Sequence, residues 1–234
     1  MRLSAEDVHE ALRELRDLRY SAGNLDEALR RIVDRTHRLF AVDGAGLMLI
    51  DPDQLLRNVA VSDRRVDDLE QLQLDHGEGP CVDAFRDKEL VDAEDLAEED
   101  RWPDFSPAAV ARGLRAVMAS PIPYNQQAVG VVAVFSAKAR PWAPEAQLAI
   151  IAFTDLAALT IANTLQSERR GEVAEQLQRA LDARVVIEQA KGALVARDGI
   201  DEREAFERMR RQARSQRRRV ADVAGEIMAS VRRS

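Results

Sequence analysis

Leu114-Arg-Ala-Val-Met-Ala-Ser-Pro-Ile122 and Ala128-Val-Gly-Val-Val-Ala-Val-Phe-Ser136, separated by a polar break at Tyr124-Asn-Gln-Gln127, decide the fold. Each run is apolar, short and bounded by turn residues, and the two read as a β-hairpin. Upstream the pattern repeats. Ala45-Gly-Leu-Met-Leu-Ile50 is a buried-type strand, Asp51-Pro-Asp53 is a turn in which proline fixes φ, and Leu56 to Ser62 is the returning strand. Helical periodicity surrounds the hairpins. Val8, Leu12, Leu15 and Leu18 mark a helix over 5–20. Asn24, with Glu27 three residues on, has capping-box spacing for a helix over about 25–40. Strands joined by hairpins, with helices segregated around them, predict an α+β fold with an antiparallel sheet.

From Pro144 the pattern is helical to the end. Leu148, Ile151, Leu156, Leu159, Ile161 and Leu165 lead into Leu177, Leu181 and Val185, with Gly171 the weak point of a long connecting helix. Residues 148–162 have a sheet to pack on. Beyond 165 a partner helix is the better cover, which predicts a homodimer through Leu12 and Leu15 in front and Leu177 and Leu181 behind. The last segment divides into three helices. The first stops before Asp198-Gly199, and Asp201 caps the second with Glu204 at capping-box spacing. The third begins near Arg219 and carries Val220, Val223, Ala224, Ile227, Met228 and Val231 on one face. These three form an all-α three-helix bundle.

Charge divides the chain in the same place. Residues 1–166 carry 18 Lys+Arg against 29 Asp+Glu, whereas residues 167–234 carry 16 against 12, within a net charge of -7. A polyanion, if one is bound, goes to the second part. Of the 34 basic residues all but Lys88, Lys138 and Lys191 are arginine, a bias that a GC-rich genome also produces. Clustering is the stronger signal. Between Arg208 and Arg219 stand seven arginines and no acid: Arg208, Arg210, Arg211, Arg214, Arg217, Arg218 and Arg219. Such like charges repel unless a polyanion neutralises them, and the planar guanidinium suits phosphate.

The single cysteine, Cys81, excludes an intrachain disulfide and fits a reducing compartment. The N-terminus has no signal-like apolar run, and Leu148–Ala162 reads as too short and too polar, at Asp155, to span a bilayer. The expected location is cytoplasmic, without a membrane. His9, His37 and His76 are too scattered for a metal site. No nucleophile–base pair, phosphate loop or carboxylate pair points to catalysis, so no enzyme, cofactor or metal is expected. Asp92, Glu94, Asp95, Glu98, Glu99 and Asp100 read as a solvated acidic loop.

Arg184-Val-Val-Ile-Glu-Gln-Ala-Lys-Gly-Ala-Leu194, then Gly199 to Phe206, Ala213 and Val220-Ala-Asp-Val-Ala224, resemble the ANTAR family of bacterial RNA-binding antitermination domains. The resemblance implies a three-helix domain that binds paired RNA stem-loops in a nascent transcript. Arg184, Lys191, Arg214, Arg217, Arg218 and Arg219 are its candidate RNA-binding residues. Gly192 is expected to allow close helix approach, and Val195 stands where many relatives carry Met. Leu72-Gln-Leu-Asp-His-Gly-Glu-Gly-Pro-Cys81, Asp95-Leu96, Arg101-Trp-Pro-Asp-Phe105 and Val129-Gly-Val-Val132 resemble GAF domains, sensors that often hold a small molecule between sheet and helices. Cys81, Phe85, Trp102 and Phe105 are the candidate ligand-pocket residues, for an unknown small-molecule ligand. The Asn-Lys-Phe-Asp-Glu pattern of cyclic-nucleotide GAF domains is not present, and Asp51, before Pro52 in a turn, is not read as phosphorylated.

The expected organisation is an N-terminal helix over 1–23, a GAF-like sensor over 24–166 and an ANTAR-like domain over 167–234. The alternative is a transcription factor whose final helices form a DNA-binding helix-turn-helix around the arginine-rich turn. A third reading is an adaptor whose tail docks on protein. Cys81 is either a reactive thiol at a helix start or a small buried apolar residue.

Overall fold

A computed structural model describes residues 25–166 and 172–231. The first part builds α1 (Leu25–Phe40), β1 (Gly44–Ile50), β2 (Leu56–Val61), α2 (Arg64–His76), α3 (Pro80–Asp87) and β3 (Val91–Ala93). A 3₁₀ turn (Leu96–Glu98), α4 (Phe105–Ala111), β4 (Ala116–Tyr124), β5 (Gln127–Ser136) and α5 (Pro144–Gln166) complete it. The strands form one antiparallel sheet in the order β2-β1-β5-β4-β3. Both expected hairpins are there. The β4–β5 turn holds Asn125 and Gln126 at φ 48° and 64°, the doubly left-handed geometry that matches the twist of the flanking strands. Pro121 and Pro123 lie beyond Ala119, the last residue of β4 that β3 pairs, where β4 has β5 as its one neighbour among the described residues and a missing N–H is tolerated. The register shifts at Ile122/Pro123.

Alternation along the strands gives the sheet two different faces. One carries Leu49, Ile122, Gly130 and Ser120, and α1 and α5 cover it. Ser120 Oγ meets Thr154 Oγ1 of α5 at 3.3 Å, and Phe40 of α1 meets Phe153 of α5 edge-on, with centroids 6.3 Å apart. The other face carries Gly44, Gly46, Ala133, Phe135 and Ala119, and α2 and α3 lie over it. Helix α2 starts where the Asp63 carboxylate accepts from the N–H groups of Arg65 and Val66, and stops at left-handed Gly77.

Two expectations are corrected in this part. The acidic run Asp92–Asp100 is not a free solvated loop. It forms β3 and the 3₁₀ turn, with Ala93 and Leu96 buried, and Asp95 is bound by Arg115 at 2.5 Å. The apolar helix is longer than 148–162. Pro144–Leu165 has a mean hydropathy of 1.7 and is long and apolar enough to cross a membrane by composition. However, Ala146, Ala149, Ile150, Phe153, Ala157, Ile161 and Leu165 are buried in the fold, as in a core helix. Leu148, Ile151 and Leu159 are exposed on its other side.

The second part is helical: α6 (Glu172–Asp198), α7 (Glu202–Gln216) and α8 (Val220–Val231). Its core joins Ile187, Ala190 and Leu194 of α6, Ala205, Met209 and Ala213 of α7, and Val220, Val223 and Ala224 of α8. Helix α6 ends before Gly199 in the left-handed conformation, and the Asp201 carboxylate accepts from the Glu204 N–H at 2.7 Å. All three helices thus lie where the capping residues put them. Gly192 departs from expectation. It is exposed, and a side chain there would meet nothing, so it mediates no close helix approach within the described residues. Leu177 is buried within the chain, leaving the exposed Val185 on α6 as the larger uncovered apolar residue. The expected helix over 5–20 with Leu12 and Leu15, the Asn24 cap and the break at Gly171 lie outside the described residues.

Candidate nucleic-acid interface and sensor residues

Helix α7 is amphipathic. Ala205, Met209 and Ala213 face the core, and the opposite surface is almost wholly charged. At about 3.6 residues per turn, Arg203, Arg210 and Arg214 share one stripe, Arg211 borders it and Arg217 follows at the helix end. The Arg203–Arg217 span is about 21 Å at about 1.5 Å rise per residue. Arg217 stands in the left-handed conformation at φ 52° and closes the helix, its N–H bonded to the Ala213 and Arg214 carbonyls. An arginine replaces the usual glycine there, which holds its side chain at the corner between α7 and α8.

Although the arginine run contains no acid, acids reach it from elsewhere. Arg208 pairs with Asp198 at 2.5 Å, Arg210 with Glu207 at 3.3 Å, Arg218 with Glu226 at 2.7 Å and Arg219 with Asp222 at 3.1 Å. Arg203, Arg211, Arg214 and Arg217 have no ion-pair partner among the described residues. They are the uncompensated cations of this surface. Arg203 was not among the candidates; stepping back seven residues from Arg210 along the helix would have found it.

The two candidates on α6 stand differently. Lys191 is only 15% exposed and bonds Glu188 at 2.8 Å and Glu202 at 3.4 Å, which fastens α6 to the start of α7. Arg184 is half-buried, and burial holds its guanidinium below its ordinary pKa. Neither lies on the α7 stripe.

In the first part, Cys81, Trp102 and Phe105 are buried and Phe85 is half-buried. The Trp102 and Phe105 rings meet edge-on with centroids 6.2 Å apart, and Trp102 Nε1 donates to Asp83 Oδ2 at 2.8 Å. The Glu78 carboxylate accepts from the N–H groups of Asp104 and Phe105 and so fixes the start of α4. Cys81 does follow a helix start, at Pro80, but its thiol is not activated. Burial pushes its pKa up, the nearby Glu70 carboxyl adds to this, and a hydrogen bond from Gln73 only partly opposes it. Cys81 is therefore a neutral buried thiol. Glu70 and Gln73 were not foreseen, yet both are fully buried beside it. Gln73 Oε1 accepts from the Cys81 N–H at 2.8 Å, and Gln73 Nε2 donates to Cys81 Sγ at 3.4 Å.

Comparison with known proteins agrees with this division. The profile of the GAF domain matches residues 24–161, and that of the ANTAR domain matches residues 175–228. The GAF domain of a phosphoenolpyruvate-protein phosphotransferase from Coxiella burnetii superposes with a TM-score of 0.58 at 17% identity, over 69% of this chain and 96% of its own. The corresponding GAF domain from Acinetobacter superposes with a TM-score of 0.55 at 17% identity, over 67% of this chain and 94% of its own. No curated protein matches the chain. The chain belongs to the GAF family and carries an ANTAR domain behind its GAF domain.

Proposed function

We propose that this protein is a cytoplasmic, non-catalytic transcription antitermination regulator that binds RNA stem-loops through its ANTAR domain under the control of a small molecule held by its GAF domain. The observation that carries the RNA reading is the row of uncompensated arginines on α7, Arg203, Arg211, Arg214 and Arg217, on a helix whose other face is committed to the domain core. A row of guanidinium groups that long follows a nucleic-acid backbone, and each phosphate it neutralises releases counterions. The four neighbouring arginines that are already paired are held by surface acids that keep part of their side chains in water. Such pairs are weak in water and exchange readily for phosphate. Lys191, with two glutamates on it, serves the fold of the domain rather than the RNA.

The homodimer is part of the same reading. Leu148, Ile151 and Leu159 stand exposed along α5 and are covered by a second copy. Two ANTAR domains in one dimer engage two stem-loops of one transcript, so that the second contact is intramolecular.

The test is a titration of the full-length chain against a hairpin RNA, the same sequence as duplex DNA, and an unstructured single strand, at two salt concentrations. The expected order of affinity is hairpin first. Tighter binding to duplex DNA replaces this reading with the helix-turn-helix one, and binding to none of the three replaces it with a protein-docking role.

A further inference from the structure

On the α2 side of the sheet, the register sets Gly46, Ala133 and Ala119 side by side across β1, β5 and β4. Gly46, in this row, lies beneath Glu70. The Glu70 carboxyl rests directly on Gly46, and a β-carbon at that position would collide with both of its oxygens. Glu70 is fully buried, and neither carboxyl oxygen has a hydrogen-bond partner among the described residues. The helices above also present small or neutral groups, Cys81 and Ala84 of α3. Gln73, one turn on from Glu70, is different: its amide is satisfied by Cys81, and it is held over Gly79, where a side chain would collide with it. The fold has thus made room, with glycines, for two polar groups in its interior. It has given partners to one of them.

An unbonded carboxyl removed from water costs several kcal/mol, so such a group is retained where a ligand completes it. We propose that Glu70 is the recognition group of a small closed site between α2, α3 and the sheet, which takes a compact organic cation with N–H donors, an amidinium or a primary ammonium. This inference rests on the reading of the GAF domain as a small-molecule sensor and is independent of the RNA reading. Two parallel N–H donors meet a carboxylate in a fork, the strongest geometry a carboxylate accepts. The Glu70 carboxyl packs directly on Gly46, so only the small N–H end of a cation fits beside it. Burial raises the Glu70 pKa well above its ordinary value, and Asp67 on the same helix raises it further. The other titratable group facing it is Cys81, itself neutral. Burial therefore favours the neutral form of the carboxyl until a cation stands beside it. A cation that binds ionises it, and one proton leaves for solvent as the ion pair forms.

The experiment uses the full-length chain with acetamidinium chloride as probe. Tetramethylammonium chloride, a cation without N–H, and acetamide, a neutral donor, are the controls. Thermal unfolding and calorimetry in two buffers of different ionisation enthalpy are read between pH 6 and pH 8. Acetamidinium is expected to raise the unfolding midpoint, with about one proton released per cation bound and affinity rising up to about tenfold per pH unit. Neither control does so. Glu70→Gln, which keeps shape and folds without the orphan acid, is expected to abolish the response. An equal midpoint shift in Glu70→Gln, no shift with acetamidinium in the wild type, or a pH-independent response to acetamide overturns the proposal. Hairpin binding measured in the same preparation separates this outcome from the RNA reading: a chain that binds RNA but ignores acetamidinium loses only the Glu70 site.

Discussion

The GAF domain and the ANTAR domain handle charge in opposite ways. In the first, the decisive ionisable group is inside. Glu70 is cut off from water, has no hydrogen-bond partner among the described residues and sits on a glycine. In the second, the decisive groups are outside. Arg203, Arg211, Arg214 and Arg217 have no ion-pair partner among the described residues, above a core whose fully buried members are aliphatic side chains and a methionine. Burial makes protonation the variable to which a site responds; exposure makes ionic strength the variable. A sensor for a small molecule gains from the first, since a low-dielectric interior strengthens one well-placed contact. A surface for a polyanion gains from the second, since many weak contacts add and remain reversible.

The largest expected effect comes from breaking the smaller core. Leu194 is buried among α6, α7 and α8. Leu194→Ala removes about 2–5 kcal/mol, as buried leucine truncations do, and a three-helix unit this small has little more than that to lose. Hydrogen exchange is expected to show 175–228 opening while the sheet amides of β4 and β5 stay protected. Equal loss of protection in both domains contradicts their independence. The next effect sharpens the contrast in charge. Because the Glu70 pKa is raised in the folded state, the folded chain holds a proton that the unfolded chain has lost above the ordinary carboxylate range. Its contribution to stability is therefore present in full below the unfolded pKa and is lost as pH rises towards the folded one. Glu70→Gln is expected to flatten the fall in unfolding midpoint between pH 5 and pH 8. The same pH dependence of the midpoint in the wild type and in Glu70→Gln contradicts the assignment. The smallest effect is at a cap. Asp201→Ala, which removes the bond to the Glu204 N–H, costs about 1 kcal/mol and lowers the helical unfolding midpoint without altering the sheet.

The same contrast explains what could be read from residue order. Hairpins and caps are local, so β1, β2, β4, β5 and the three final helices were legible within one or two residues from apolar runs, Asn125, Gly199 and Asp201. Helix α2 was harder. Its buried face is Val66, Leu69, Glu70 and Gln73, and two polar residues in that series hide a helix that packs on a core. Strand β3 has only three residues and lies inside an acidic run, so its pairing with β4 is tertiary information. At the candidate sites, the clustering of arginine was visible, but the division into paired and unpaired was not. Asp222 pairs locally with Arg219 three residues before it, but Glu226 and Asp198 lie further off in sequence and reach the cluster only through the fold. Cys81 and its aromatic neighbours could be named from their surroundings in the sequence. Glu70 could not, because nothing within one turn of it marks the glycine on another strand that makes its place.

On the proposed reading, RNA contacts the unpaired arginines of α7. The direct measurement is the salt dependence of hairpin binding for the wild-type chain beside a variant with Arg211, Arg214 and Arg217 changed to Ala, with helical content checked by circular dichroism. Loss of roughly three phosphate contacts is expected to weaken binding by well over tenfold and to reduce the slope of log affinity against log salt by about 2 to 3. The companion change of Arg218 and Arg219, already paired to Glu226 and Asp222, is expected to do less. An unchanged slope in the triple variant, with its helices intact, contradicts the account.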